Sequence, residues 1–297
     1  MEAIKFLKKE NIFKFFKFFV FFASLIYFFY FIYENEKFFD QIKNFSPVLL
    51  LAIVMLKILN NLFLAKINIY ILKNLSIELD ILKSLEITTR NTLGNMVSPF
   101  KLGTGYKISF LKNFYNLNIP NYIYVNSLYA IFNLFPVLLI FLLFAIIFAD
   151  SKTYIYVIFI GILVFSFLIF IYVKNLFGKK NLFAILNQVN LISINNLKIQ
   201  VNNLLLFFSG TLITFLIIYE LNSELLFFPS ITYNTLFSIS GLVQLTPGNI
   251  GIKEGFIAFF NNLHQLSTYT IIITSFIERF ISIVVLFLLQ IYINFKN

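Results

Sequence analysis

Five charged residues lie in sequence that is otherwise apolar enough for the inside of a membrane: Lys57, Lys253, Glu254, Glu278 and Arg279. Ionisable groups at that depth are expensive, so they pair with one another or mark a pathway. Glu278 and Arg279 fall in the middle of the apolar stretch from Leu266 to Phe295, too deep for Glu278 to reach the interface. Being adjacent on a helix, they point to different faces and need different partners. Arg279 with Glu254 is the most economical pairing, which leaves Glu278 for Lys57 or Lys253. Such pairs either lock a helix bundle or line a site for a charged ligand. Lys57 also admits a plainer reading, a lysine whose long stem carries its ammonium toward the interface.

Two of the five charges follow a break. Gly241-Leu-Val-Gln-Leu-Thr-Pro-Gly-Asn-Ile-Gly-Ile-Lys-Glu-Gly255 places Pro247, Gly248, Asn249 and Gly251 just ahead of Lys253 and Glu254. A helix does not run smoothly through Pro-Gly-Asn, because proline has no N–H and glycine and asparagine favour a turn. Broken backbone at membrane depth has to be sheltered by protein or line a wet cavity. A half-helix opening here would aim free amides and the positive end of its dipole inward, an anion site suited to a carboxylate or phosphate. An acid in the first turn complements that dipole on its own, which is the simpler account of Glu254.

The elements that must position these residues follow from composition. Of 297 residues 60% are hydrophobic and 12% charged, with 42 Phe and 16 Tyr; a soluble domain carries about 25% charge. Uncharged runs at 121–149, 154–173, 199–219 and 225–252 suit spanning helices, which need roughly 20 apolar residues. The ten-residue alternation of an outer-membrane barrel is missing. The expected fold is all-α: one polytopic transmembrane bundle over residues 1–297, with about six full spans, a Pro-Gly-broken re-entrant or short-helix pair, and interfacial amphipathic helices. The spans are expected near 14–33, 46–64, 122–149, 154–173, 201–219 and 266–295. The stretch Phe227–Gly241, the Pro-Gly element and Phe256–His264 make the broken pair. Ile71–Ile87, with Leu72, Leu75, Leu79 and Leu82 at helical spacing, reads as an amphipathic interfacial helix, and 182–197 as a second one. Residues 91–119 break the helical pattern with Gly94, Pro99, Gly103 and Gly105, and carry Lys101, Lys107 and Lys112. This basic segment either binds a phosphate headgroup or is only the positive-inside signature.

Charge sets the expected topology. The segments assigned to the cytoplasm hold seventeen Lys and Arg, the external loops three. Both termini are therefore expected inside, in the cytoplasmic membrane, with an even number of crossings. The N-terminal stretch has no small-residue cleavage site and reads as the first span rather than a removed signal. The net charge of +10 belongs to this bias and not to nucleic-acid binding. Cysteine is absent, which excludes disulfides and thiol chemistry, and His264 alone makes no metal site. No cofactor is expected, and no GxxxxGK[ST] loop supports nucleotide hydrolysis. Glu78-x-Asp80 is the nearest approach to a metal-binding acid pair and is better explained by the amphipathic helix.

The segment from Pro247 to Glu254 resembles the PGGxGxxE signature of the lysylphosphatidylglycerol synthase transmembrane-region family, the flippase-like proteins. Asn95-Met-Val-Ser-Pro99-Phe-Lys101-Leu-Gly103-Thr104-Gly-Tyr-Lys107 is similar to that family's Asn and P-x-R-x-G-E-x-x-R segment, with lysines for the arginines and Thr104 for the acid. Arg279 matches a late arginine, and Asn249 stands where the family has its second glycine. The resemblance implies a lipid-related role: binding and translocating an anionic or aminoacylated lipid, with Lys101, Lys107, Pro247, Gly248, Asn249, Gly251, Glu254 and Arg279 around the headgroup and Lys57, Lys253 and Glu278 as charge partners. Phospholipids or a polyprenyl-linked lipid are the expected partners. No soluble synthase domain follows the last span in this sequence, so aminoacyl-lipid synthesis is not expected of it. A non-catalytic membrane partner of a lipid-modifying or glycosyltransferase system is the alternative, and an enzyme acting on a lipid-linked substrate is a third.

Overall fold

A computed structural model describes residues 45–97, 101–148, 193–222, 226–241, 249, 252–260 and 265–296. The spans expected at 14–33 and 154–173, most of the second interfacial helix, Pro47's upstream loop, Pro247, Gly248, Gly251 and His264 lie outside these residues. Eight helices occupy the described part: α1 (Pro47–Lys73), α2 (Ile81–Val97), α3 (Leu102–Tyr115), α4 (Ile119–Phe148), α5 (Ile194–Asn222), α6 (Phe227–Ser240), α7 (Ile252–Phe259) and α8 (Thr268–Lys296). Four of them, α1, α4, α5 and α8, are long and apolar enough to cross a membrane. The chain is an all-α, multi-pass membrane bundle.

The four long helices fall where hydropathy places them: α4 and α8 agree closely with the expected bounds, while α1 runs on well past residue 64 to Lys73 and α5 begins earlier than residue 201, at Ile194. Pro47 opens α1 in its first turn, where a missing N–H is harmless. Pro136 lies inside α4. Apolar side chains cover the open faces in stripes at helical spacing, Val48, Leu51, Met55 and Leu59 on α1 and Leu197, Val201, Leu205, Phe208 and Leu212 on α5. Hydrogen bonds between side chains run inside instead. This is the inverse of a soluble bundle, and such interhelical polar contacts are what hold helices together where lipid competes for apolar surface.

Those contacts fix direction. The Ser46 amide donates to Glu220 at 2.7 Å, Ser209 donates to Asn60, and Asn74 donates to Asn196 at 2.9 Å, so α5 runs antiparallel to α1. Asn74 also donates to Tyr129 at 2.6 Å, bringing α4 into the same knot. Helix α8 runs parallel to α1: Ile53 packs with Ile273 and Ile277 near one end, Ala65 with Ile293 near the other. The start of α8 is therefore level with the end of α5. Between them, Phe227 of α6 meets Phe215 and Asn234 donates to Thr211 and to the Phe207 carbonyl, both at 3.0 Å, so α6 descends beside α5. Helix α7 runs back along α8, with Glu254 near Ser275 and Arg279 and Ile257 near Ile271. With 14 and 8 residues, these helices span only about 21 and 12 Å.

Two expectations are corrected. Ile71–Ile87 is not one amphipathic helix: α1 continues to Lys73, a turn and extended chain occupy 74–80, and α2 begins at Ile81. Asp80 caps it, accepting from the Lys83 amide at 2.8 Å, which accounts for the Glu78-x-Asp80 pattern. Residues 91–119 are not an irregular segment; in their described part all but 101 and 116–118 are helical, in α2, α3 and the start of α4. Helix α2 enters the bundle antiparallel to α1 and α8, with Ser84 donating to the Ala65 carbonyl at 2.8 Å and Leu93 packed on Leu286. Helix α3 returns along it and ends at Asn116 in the left-handed conformation, a position asparagine tolerates. Hydropathy misses the pair because much of what α2 buries is polar: Ser84, Glu86, Thr88, Thr89 and Arg90 are inside with Leu85, Ile87 and Leu93, sheltered by protein.

The two arms touch through glycine. A Cβ on Gly103 would lie 2.1 Å from the Asn91 carbonyl oxygen and 2.7 Å from the Asn95 nitrogen, whereas one on Gly105 would meet nothing within 4 Å. Gly103→Ala is expected to lower stability by about 3 kcal/mol through forced separation of α2 and α3. Gly105→Ala should be neutral or raise stability by about 0.5–1 kcal/mol, as for any glycine inside a helix. Thermal unfolding of both variants in detergent checks the contrast; equal midpoints would contradict the packing.

Candidate functional site

Lys57 is the eleventh residue of α1 and Glu278 the eleventh of α8. Because the helices are parallel, both sit about 15 Å below their helix starts. The end of α2 reaches the same level from the other side, and α6 reaches it from above. A cavity of about 250 Å³ opens there. Its wall takes Lys57 from α1, Thr92, Asn95 and Met96 from α2, and Glu278, Arg279 and Ser282 from α8. Phe237, Ser240 and Gly241 close it at the foot of α6, with Asn249 and Lys253 from the Pro-Gly side. Asn249 has φ 60°, the left-handed backbone expected where the sequence replaces a glycine by asparagine.

The charges pair as the sequence suggests. Arg279 Nη2 lies 2.6 Å from Glu254 Oε1, a close ion contact that is not aligned as a hydrogen bond. Ser275 donates to the same carboxylate. Glu278 is shared: Lys253 donates to Oε2 at 3.1 Å, Thr214 donates to Oε1 at 3.3 Å, and Lys57 Nζ stands 4.0 Å from Oε1. Lys253 is held further by aromatic faces, its ammonium 3.3 Å from the Phe237 centroid and 5.6 Å from that of Tyr233, an arrangement that is strongest when desolvated. At 4% exposure it is committed to the bundle. Lys57 is not, being beyond hydrogen-bond range of its only carboxylate neighbour among the described residues. Three cations face two carboxylates, so the site carries one uncompensated positive charge.

Several candidates fall elsewhere. Lys101 and Lys107 do not line the cavity. Lys107 is buried in the cleft between α3 and α1, where it donates to Asn68 and lies 5.6 Å from the Tyr122 ring centroid. Lys101 sits at the head of α3 with φ 57°. Thr104, in the place of the expected acid, exchanges hydrogen bonds with Asn95: its amide donates to Oδ1 at 3.1 Å and Asn95 Nδ2 donates to its hydroxyl at 3.2 Å. Thr92, Met96, Phe237, Ser240 and Ser282 were not singled out by the sequence; only the i to i+4 spacing of Ser282 from Glu278 and of Met96 from Thr92 hinted at shared faces. Among the described residues no group of three His, Cys, Asp or Glu could hold a metal ion.

A family model described as the lysylphosphatidylglycerol synthase TM region matches residues 15–290. The chain belongs to that family. No curated protein and no solved structure gives a match. Membership of the lysylphosphatidylglycerol synthase TM region family makes the chain a flippase-like, lipid-handling membrane protein, and both segments that carry the resemblance, around Asn95 and Asn249, contribute to the cavity wall.

The shared carboxylate gives the site its own test. Glu278→Gln strands Lys253 in a dry environment and should destabilise by about 3–5 kcal/mol. Adding Lys253→Met removes the stranded charge and should restore most of that loss. Thermal unfolding of the single and double variants measures the coupling; a double variant no more stable than Glu278→Gln would contradict the pairing.

Proposed function

We propose that this protein binds the anionic headgroup of a membrane lipid in the central cavity and passes it between leaflets. The observation that carries the reading is the surplus positive charge in a buried cavity at membrane depth, with Lys57 loosely held and Arg279 Nη1 lacking any hydrogen-bond partner among the described residues. A buried cation without its full set of partners is a natural binding point for a phosphate or carboxylate. The volume of about 250 Å³ suits a headgroup and leaves the acyl chains outside, against the apolar stripes. Arg279 and Lys57 hold the anion, Glu254 orients Arg279, and Lys253 with Glu278 ties α7 to α8. Aminoacylated phospholipids, which also carry a phosphate, fall within the class, as do polyprenyl-linked phosphates.

In this reading α6 and α7 form a re-entrant pair entered from one side of the membrane, and α2 and α3 a second one entered from the other, their tips meeting at the cavity. Opposed broken helices around a midplane site are a familiar arrangement in transporters. The protein resides in the cytoplasmic membrane with both termini inside. Support comes from the excess of Lys and Arg in segments assigned to the cytoplasm and from α5 ending level with the start of α8, which requires an even number of crossings between them.

Liposome reconstitution tests the function. Purified protein should move fluorescent phosphatidylglycerol between leaflets, and Arg279→Ala or Lys57→Ala should slow movement at least tenfold at unchanged protein insertion. Wild-type rates in both variants would refute the proposed roles.

A further inference from the structure

The cavity wall holds one buried acceptor that no described residue satisfies. Asn249, 7% exposed, donates through Nδ2 to the Ser240 carbonyl at 3.0 Å. A backbone carbonyl only accepts, so this contact fixes which end of the carboxamide is which. The other end, Oδ1, is buried with no hydrogen-bond donor among the described residues. The same wall holds donors with spare capacity, Arg279 Nη1 and the Lys57 ammonium, 4.0 Å from Glu278. The acceptors of Glu278 are already taken by Lys253 and Thr214. Buried polar atoms left unpaired are costly, and a ligand that pairs them is favoured over one that does not.

We infer that Asn249 makes the site selective for a phosphate-bearing ligand that also carries an O–H or N–H donor. The phosphate oxygens answer Arg279 and Lys57, and the hydroxyl or ammonium of the headgroup answers Asn249 Oδ1. Glycerol, serine, ethanolamine and aminoacyl headgroups meet the requirement. A quaternary choline does not, nor does a simple alkyl phosphodiester. The inference rests on the headgroup reading above, and it concerns a residue in which this chain departs from the glycine of the family signature. A site built to hydrogen-bond a polar group rejects the analogue lacking it, because the group in the wall is then buried unpaired.

Competition binding in detergent separates the two claims. Phosphatidylglycerol and phosphatidylmethanol carry the same charge, and only the first has headgroup hydroxyls. Wild-type protein should prefer phosphatidylglycerol about tenfold, the effect of one buried hydrogen bond. Asn249→Gly should bring the two lipids within about twofold while keeping wild-type affinity for phosphatidylmethanol. Glycine accepts the positive φ without strain, and an unchanged unfolding midpoint shows that this variant is folded. Equal affinities in the wild type, or a preference that survives in Asn249→Gly, would overturn the inference and leave headgroup binding standing. Absence of saturable binding for both lipids in the wild type would overturn both. Glycerol phosphate as competitor distinguishes a soluble ester from a lipid: displacement at comparable concentration would support recognition of the donor while assigning it to a free ligand.

Discussion

Charge inside the bilayer has to be neutralised by other charge, and the bundle is arranged around that requirement. Lys253 and Glu278 meet at 3.1 Å, and Arg279 and Glu254 at 2.6 Å. Both pairs join α7 to α8. Helix α7 has only eight residues and could not hold itself in place by propensity, since isolated helices of that length are unstable. Its position is set by two ionic contacts on consecutive residues, matched to two on α8. With α7 anchored, Asn249 and the foot of α6 are drawn to the same level, and the cavity follows. Replacing such pairs by apolar residues could give an equally stable bundle, so their presence is better explained by what the site does than by what it stabilises.

The opposite wall obeys the same rule with different means. Helix α2 brings Glu86 and Arg90 into the interior as an ion pair four residues apart, with Tyr106 of α3 accepting from Arg90 at 3.1 Å. Gly94 and Gly103 let the two backbones come close enough for Asn95 and Thr104 to exchange hydrogen bonds. The arm joins the bundle through these polar contacts together with buried apolar residues such as Leu85, Leu93 and Leu111.

This difference explains what the sequence reveals and what it hides. Helices α1, α4, α5 and α8 meet apolar surroundings, and hydropathy locates each of them. The pairing of Arg279 with Glu254, and of Glu278 with lysine, was legible because so few charges lie at that depth that the possible partners are nearly exhausted. Helices α2 and α3 were not legible as a buried arm. Their polar residues find partners far along the chain, as Lys107 does at Asn68 and Ser84 at Ala65, and a window of sequence reads such residues as exposed. The spacing of Lys83, Glu86 and Arg90 suits ion pairs on one helix face, a local signal of the helix but not of its burial. The contact of Lys253 with Phe237 likewise joins two sides of the helix break, and no local pattern encodes it.

Of the 23 Lys and Arg residues of the chain, seventeen fall in segments assigned to the cytoplasm and three in external loops; the remaining three, Lys57, Lys253 and Arg279, all line the cavity. Their depth has an electrical meaning. Lys57 lies about 15 Å below the start of α1, so the cavity sits inside the membrane field rather than at its edge. Carrying one elementary charge through the whole field exchanges about 2.3 kcal/mol per 100 mV. A charged occupant exchanges part of that on the leg toward Pro47 and Thr268, and the rest on the leg toward Lys73 and Lys296. Membrane voltage therefore biases the direction in which a charged occupant leaves this site.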